Sequence, residues 1–165
     1  MLKHTIILAI AAAFVLSACT MRQSVDMQPR RITVSGDNAQ SVLVADSILT
    51  ATRRSAEPTP GFVEVSIPVE LKLTAHTTAG ILSGSGIEMH IFAPDGKRLA
   101  TLTCSDDPSA VSAFLNGDIG SSLTLHFTGI VAKADFGGLT RCATVRITGF
   151  SFLQPRTKAL LPTIS

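Results

Sequence analysis

The feature that most constrains the fold is a two-residue alternation that runs from residue 62 to residue 75. Every second residue is apolar, namely Val63, Val65, Ile67, Val69, Leu71, Leu73 and Ala75, and the positions between them are mostly polar or charged. Successive side chains of a β-strand point to opposite faces, so this pattern predicts one long strand with a single buried face. Pro68 has no N–H to donate to a ladder, and we therefore expect it at a sheet edge, a bulge or a break.

Shorter stretches after residue 86 repeat the alternation and predict four further strands. They run from Ile87 to Phe92, from Arg98 to Cys104, from Ser122 to Ala132 and from Thr140 to Phe152, where Gly149 is a candidate bulge. Pro94-Asp95-Gly96-Lys97 has the residues of a tight turn and predicts a hairpin between the first two of these strands. Ser105-Asp106-Asp107-Pro108 resembles the start of a helix, which predicts a short helix from Ala110 to Leu115.

The residues before the long strand are less regular. Thr20 to Arg30 is polar and is interpreted as a tether, and Arg31 to Ser35 as a short strand. Ala39 to Arg54 fits two patterns. As a helix it gathers Val44, Ala45, Ile48, Leu49 and Thr52 on one face, and as a strand it aligns Val42, Val44 and Ile48. The sequence favours the helix.

The expected fold class is mainly β, a β-rich α+β domain preceded by this helix. From Phe62 to Phe152 the order is three strands, a short helix and two strands, which resembles the small five-stranded barrel of the oligonucleotide- and oligosaccharide-binding (OB) fold. We expect this OB-like core over residues 62–152. A β-sandwich is the alternative.

An apolar run from Ile6 to Leu16 ends in Leu16-Ser17-Ala18-Cys19. This motif resembles the lipobox of bacterial lipoprotein signal peptides, and the run is too short to span a bilayer core of about 30 Å as a helix. The resemblance implies that Cys19 is joined to a diacylglycerol, that the chain is cut before it and that the new N-terminus is acylated. The expected organisation is a signal peptide at 1–18, a lipidated tether at 19–30, a β-rich domain at 31–153 and an irregular tail at 154–165.

The resemblance also implies a location. Thr20 rather than Asp follows the lipobox cysteine. In the sorting pattern of enteric bacteria this implies export to the outer membrane. We expect a lipid-anchored protein there that faces the periplasm rather than the medium.

The charge of the chain limits its partners. Lys3 is the only charged residue among the first 18, so removing them leaves 13 basic and 12 acidic residues, a formal charge of +1. Arg30-Arg31 and Arg53-Arg54 are adjacent basic pairs, as is Lys97-Arg98 in a predicted turn, and the chain has no Trp or Tyr. Nucleic-acid binding needs a concentrated basic face or stacking aromatics, so no nucleic-acid partner is expected.

If Cys19 is lipidated, Cys104 and Cys142 are the two other cysteines of the chain. An even number of cysteines in an oxidising compartment predicts a disulfide between these two. Their separation of 142 − 104 = 38 residues would give about 4 kcal/mol of stabilisation in the chain-entropy model. A metal site is the rival interpretation, although two cysteines without a Cys-x-x-Cys spacing are a poor ligand set.

Other candidate reactive residues are scattered. His76, His90 and His126 fall on the polar faces of their strands, and a metal site would need them to converge with Glu88 or Asp95. Asp106 and Asp107 are adjacent and are explained as helix caps rather than as a general acid and base. We therefore expect no metal, no cofactor and no enzymatic activity.

Two functions remain. The first is a non-catalytic lipoprotein that docks onto another envelope protein as an accessory of a secretion, conjugation or surface-assembly system. The alternative is a module that binds a glycan, a lipid or a metal near the loops Thr77 to Gly86 and Ala134 to Gly138.

Overall fold

The computed structural model describes residues 22–35, 41–75, 79–81 and 86–152. Within these ranges it contains eleven β-strands, an α-helix and a 3₁₀ helix. The strands are β1 (Gln23–Met27), β2 (Arg31–Val34), β3 (Val42–Val44), β4 (Leu49–Arg53), β5 (Phe62–Leu73), β6 (Ala79–Ile81), β7 (Glu88–Phe92), β8 (Arg98–Cys104), β9 (Ser122–Ala132), β10 (Thr144–Thr148) and β11 (Phe150–Phe152). The helices are α1 (Pro108–Leu115) and the 3₁₀ helix (Lys133–Arg141).

Nine of the strands form one sheet in the order β1-β4-β5-β9-β8-β7-β10-β2, and β3 also pairs with β5. All pairs are antiparallel except β10 with β2. β2 also packs against β3, so the sheet curls into an open half-barrel around one core. Strands β6 and β11 form a separate two-stranded sheet. The chain is therefore mainly β, as predicted.

The strand order does not reproduce the five-stranded barrel. The five predicted strands correspond to β5, β7, β8, β9 and β10, and the sheet contains nine strands in total. The last predicted strand corresponds to β10. It pairs with β7, the second predicted strand, and not with β8, the third. The nine strands also lie in one sheet rather than in the two packed sheets of the sandwich alternative.

Strand β5 is the longest strand of the sheet, and the predicted alternation is confirmed as far as Leu73, whereas Ala75 lies beyond the strand and is exposed. Its inward residues from Val63 to Leu73 are all nearly or completely buried. It pairs along its length with β9 on one side, and on the other side with β4 near its start and with β3 near its end. Pro68 lies between the β4 and β3 pairings, so its missing N–H falls at a break in the ladder, as expected.

The helix predicted from Ala39 to Arg54 is wrong. Val42–Val44 and Leu49–Arg53 are the strands β3 and β4, and residues 36–40 lie outside the described ranges. The β-branched side chains in these strands suit a pleated surface better than a helix, and pairing with β5 supplies the backbone hydrogen bonds. Leu49 and Ala51 are buried whereas Ile48 is half exposed. The helical pattern had instead placed Ile48 and Leu49 on the same face.

The predicted tether at 19–30 is also corrected in part. Residues 23–27 are β1, which pairs with β4 along its whole length. Met27 is completely buried. Among the described residues, strand pairing therefore already begins at Gln23, with a partner strand, β4, that comes later in the chain.

The last predicted strand, Thr140 to Phe152, is divided. The 3₁₀ helix extends to Arg141, β10 follows, and the chain then crosses at Gly149 into the two-stranded sheet as β11. Gly149 has a φ of 99°, in the left-handed region. In the expected loop from Thr77 to Gly86, residues 79–81 form β6, and residues 77–78 and 82–85 lie outside the described ranges.

The predicted hairpin and short helix are confirmed. In the β7–β8 turn, the N–H of Ala93 donates to the carbonyl of Lys97. Helix α1 begins after Asp107, whose carboxylate accepts from the Ser109 N–H at 3.0 Å. Among the described residues, no helix combines the length and apolar character needed to cross a bilayer.

The curled sheet has two ends. Because neighbouring strands are mostly antiparallel, the start of each lies beside the end of the next. We call one end the entry end, where β1, β2, β5, β8 and β10 begin and where β4, β7 and β9 finish. The opposite end carries α1 and the two-stranded sheet, and we call it the helix end.

Candidate functional site

Several residues singled out in the sequence lie outside the described ranges. They are the predicted signal peptide at 1–18, the lipobox cysteine Cys19, His76, and the predicted tail at 154–165. The lipidation of Cys19 therefore stays a prediction from the lipobox.

The structure does not bring Cys104 and Cys142 together. The Cys104 N–H donates to the carbonyl of Ile87 beside the start of β7, whereas the Ala143 N–H donates to the carbonyl of Phe92 at its end. The five residues of β7 span about 13 Å, and the Cα atoms of a disulfide lie about 4.4–6.8 Å apart. Both cysteines are free, and the predicted disulfide is not formed in this fold.

The physical reason is the strand order. In an OB-like barrel the third and fifth strands, which here end at Cys104 and contain Cys142 near the start, would be neighbours. In the sheet, β7 separates these two strands, and it reverses direction relative to each. The two cysteines are therefore displaced to opposite ends of the sheet.

The two described histidines do not converge either. The imidazole of His90, on β7, lies 3.4 Å from the Glu88 carboxylate and 3.3 Å from the Thr101 hydroxyl. The His126 ring, on β9, lies 3.0 Å from the Asp106 carboxylate. No cluster of three or more potential metal ligands occurs among the described residues.

Asp106 is the centre of a small polar cluster at the helix end. Its carboxylate accepts from the backbone N–H of His126, bonds the His126 ring, and lies 3.5 Å from the Cys104 sulfur, which donates to it. Burial by itself would raise the pKa of Asp106, but the hydrogen bonds from His126 outweigh it and lower that pKa. Burial also raises the pKa of Cys104.

This cluster is structural in geometry rather than nucleophilic. An activated cysteine needs a positively charged group beside its sulfur and a lowered pKa, whereas the Cys104 thiol donates to a carboxylate and its pKa is raised. Asp106 instead links the segment before α1 to β9, and Asp107 caps α1 as expected. Together the two aspartates fix the position of the helix.

The two loops of the ligand-binding alternative lie apart. Residues 134–138 belong to the 3₁₀ helix, which precedes β10. Residues 79–81 pair with β11, which follows β10. Since β10 separates the two along the chain and along the sheet, the described parts of the loops do not form one site.

A groove at the entry end lies between β1 and the 3₁₀ helix. It has a volume of about 610 Å³, and its lining includes Arg53, Lys133 and Phe136. The Arg53 guanidinium lies 5.5 Å from the centre of the Phe136 ring, and the Lys133 ammonium lies 2.6 Å from the Glu57 carboxylate. The hydrogen bond from Lys133 lowers the pKa of Glu57.

Basic residues are concentrated at the entry end. Nine of them lie in or beside the strand termini and turns of this end, against four acidic residues. The basic residues are Arg22, Arg30, Arg31, Arg53, Arg54, Lys97, Arg98, Lys133 and Arg141, and the acidic ones are Glu57, Glu64, Asp95 and Asp135.

In the rest of the described chain, acidic residues outnumber basic ones. Two basic residues, Lys72 and Arg146, are outnumbered by seven acidic ones, Asp26, Asp46, Glu70, Glu88, Asp106, Asp107 and Asp118. The near-neutral sequence therefore folds into a domain with charge separated from end to end. Sequence reasoning noted Arg30-Arg31 and Arg53-Arg54 but had no signal that strand pairing would bring the pairs to the same end.

Two large apolar side chains are exposed at the same end. Phe62 is 43% exposed and Ile130 is 54% exposed. Phe62 pairs with Ala132 and Ile130 with Glu64 in the β5–β9 ladder, so Phe62 and Ile130 are diagonal neighbours on its outward face. We call the nine basic residues together with Phe62 and Ile130 the entry-end surface.

Comparisons with protein families, with curated proteins and with solved structures give no match for this chain.

Proposed function

We propose that this chain is a lipid-anchored lipoprotein of the bacterial outer membrane that acts as a non-catalytic structural or protein-interaction module. It faces the periplasm and serves as an accessory of an envelope-spanning secretion, conjugation or surface-assembly system. The membrane is its first partner, through the lipid on Cys19, and an envelope protein is its second.

The proposed anchor rests on the lipobox, and the short distance from the lipobox to the sheet indicates where the domain would lie. Cys19 is only four residues before Gln23, the first residue of β1. Since β1 is paired along its length with β4, a lipid on Cys19 would be coupled directly to the folded domain. This spacing supports a protein that works at the membrane surface.

The observation that supports a protein partner lies at the helix end. Leu43 and Ile119 are 54% and 52% exposed. Leu43 pairs with Lys72 near the end of β5, and Gly120, next to Ile119, donates to the carbonyl of Leu73. Two exposed large aliphatic side chains close to one strand terminus, away from the proposed anchor, suit a docking surface for protein.

The anchor is tested by Cys19→Ala. We expect this substitution to abolish labelling by radioactive palmitate, because the thioether to the diacylglycerol requires the Cys19 sulfur. The precursor should stay uncleaved, and it should no longer reach the outer-membrane fraction. Palmitate labelling and fractionation that are unchanged in Cys19→Ala would contradict the proposal, and Cys104→Ala serves as the matched control that keeps the label.

The protein partner is tested by photo-crosslinking in the host cell. A benzoyl-phenylalanine placed at position 43 or 119 is expected to give a discrete protein adduct on illumination. The same probe at position 130 is the matched control, since Ile130 and Ile119 are almost equally exposed but lie at opposite ends of the sheet. An absence of adducts from both 43 and 119, with the protein correctly anchored, would count against a partner at this end.

A further inference from the structure

The proposed anchor limits how far the entry end can lie from the bilayer. Four residue steps join Cys19 to Gln23, and an extended chain spans about 3.5 Å per residue, so the separation of their Cα atoms is at most about 14 Å. Gln23 pairs with Arg53, and both belong to the entry end. If Cys19 carries the lipid, the whole entry end is held close to the headgroups.

The charges of this end complement an anionic lipid surface. Its basic residues outnumber its acidic ones by nine to four, and two of those acids are already paired, Glu57 with Lys133 and Glu64 with Arg54. Arg22, Arg30 and Arg31 are exposed and make no ion pair with another described residue. Such basic side chains attract negatively charged headgroups within a Debye length of the bilayer.

The apolar residues of this end suit the same surface. Phe62 and Ile130 project from the outward face of the β5–β9 ladder beside the basic residues. Apolar side chains flanked by lysine and arginine enter the boundary between headgroups and acyl chains. Glu64, which faces Ile130 across the ladder, has its charge offset by Arg54 at 3.7 Å.

We propose that the entry-end surface docks onto anionic phospholipid headgroups, with Phe62 and Ile130 in the interfacial layer and the helix end turned away from the membrane. The inference rests on the proposed lipid anchor and deepens it. The lipid would tether the domain, and the docked surface would set its orientation, because the tether gives the surface a high effective concentration near the bilayer.

The absence of Trp and Tyr from the sequence gives this proposal a direct test. The full mature lipoprotein is reconstituted into vesicles of phosphatidylcholine and phosphatidylglycerol with brominated acyl chains, which quench nearby tryptophan. Phe62→Trp and Ile130→Trp each introduce the only tryptophan of the chain, and Ile119→Trp is the matched control at the helix end. We expect about half of the fluorescence of the two entry-end variants to be quenched, and little of the control.

Charge variants test the electrostatic part. Combining Arg22→Gln, Arg30→Gln and Arg31→Gln with Ile130→Trp should reduce the quenching, whereas Lys72→Gln with Ile130→Trp should leave it unchanged. Quenching should also fall when salt is raised from 0.1 M to 1 M, because the Debye length falls from about 10 Å to about 3 Å. Equal quenching in vesicles of phosphatidylcholine alone would overturn the role of anionic headgroups.

The experiment separates failure of the docking surface from failure of the anchor. A protein that floats with the vesicles on a density gradient but shows equal quenching, or none, at positions 119 and 130 keeps its anchor and overturns the docking surface. A protein that does not float, and whose intact mass lacks acyl chains, overturns both. Unchanged circular dichroism and melting of the tryptophan variants shows that the fold is intact.

Discussion

At the scale of single residues, the backbone of Gly149 allows the chain to leave the main sheet. Its φ of 99° is unfavourable for residues with a Cβ, and a Cβ built there lies 2.6 Å from the carbonyl oxygen of Gly86 and 2.9 Å from the Cα of Ile87. The sequence predicted a bulge at this position. Glycine here meets two requirements at once, a left-handed conformation and a close approach of two backbone segments.

Gly149→Ala tests this description. Left-handed strain costs about 1–2 kcal/mol and overpacking against backbone about 1–3 kcal/mol more, so we expect a loss of about 2–5 kcal/mol in the free energy of unfolding. Gly120→Ala is the matched control, because Gly120 has a φ of 91° but a Cβ at that position would meet nothing within 4 Å. The free energy of unfolding of this variant should therefore fall only by the cost of the left-handed strain. Urea unfolding measures both, and equal losses would contradict the close approach.

Pro68 shows what a single residue does reveal in advance. Its missing N–H predicted a sheet edge, a bulge or a break, and the structure places it at a break, where β5 changes partner from β4 to β3. That inference held because it depends only on the covalent structure of proline. The same inference does not predict which two strands pair with β5 on either side of Pro68.

At the scale of elements, the available pairing partners determine whether a segment with an ambiguous local pattern forms a helix or a strand. Residues 39–54 fit both a helix and a strand, and the helix was favoured because its apolar face was more continuous. The edge of β5 is occupied by β3 and β4 instead, and this pairing supplies backbone hydrogen bonds to all three strands. The polar segment before residue 30 became β1 for the same reason.

The strand order also makes a prediction about thiols. Denatured mature protein should expose two reactive thiols per chain, Cys104 and Cys142, in equal amount with and without reductant, because the fold holds both cysteines free. In the native protein, Cys142 should react slowly at neutral pH, since burial raises the pKa of its thiol to about 11.

Titration with a chromogenic disulfide reagent in guanidinium measures these thiols. Cys142→Ser is the control that should lower the count by one. A count that is zero without reductant and rises to two with it would mean that the cysteines are bonded, and it would contradict the placement of β7 between β8 and β10.

At the scale of the whole molecule, the curled sheet separates charges that the sequence mixes. Basic and acidic residues are nearly equal in number along the chain, and nothing in their spacing concentrates either kind. Strand pairing, antiparallel except between β10 and β2, brings the Arg30-Arg31 and Arg53-Arg54 segments and the start of β8 to one end. The proposed anchor is attached at this same end, which is why orientation on a membrane can be inferred from the fold.

The sequence alone determined the mainly β class, the long strand β5, the β7–β8 hairpin, the capped helix and, through the lipobox, the expected membrane attachment. These depend on side-chain periodicity, turn chemistry and short motifs, all of which act within a few residues. Only the tertiary structure decided the strand order, the separation of Cys104 from Cys142 and the basic entry end. These depend on which distant strands share backbone hydrogen bonds, and no local pattern encodes that choice.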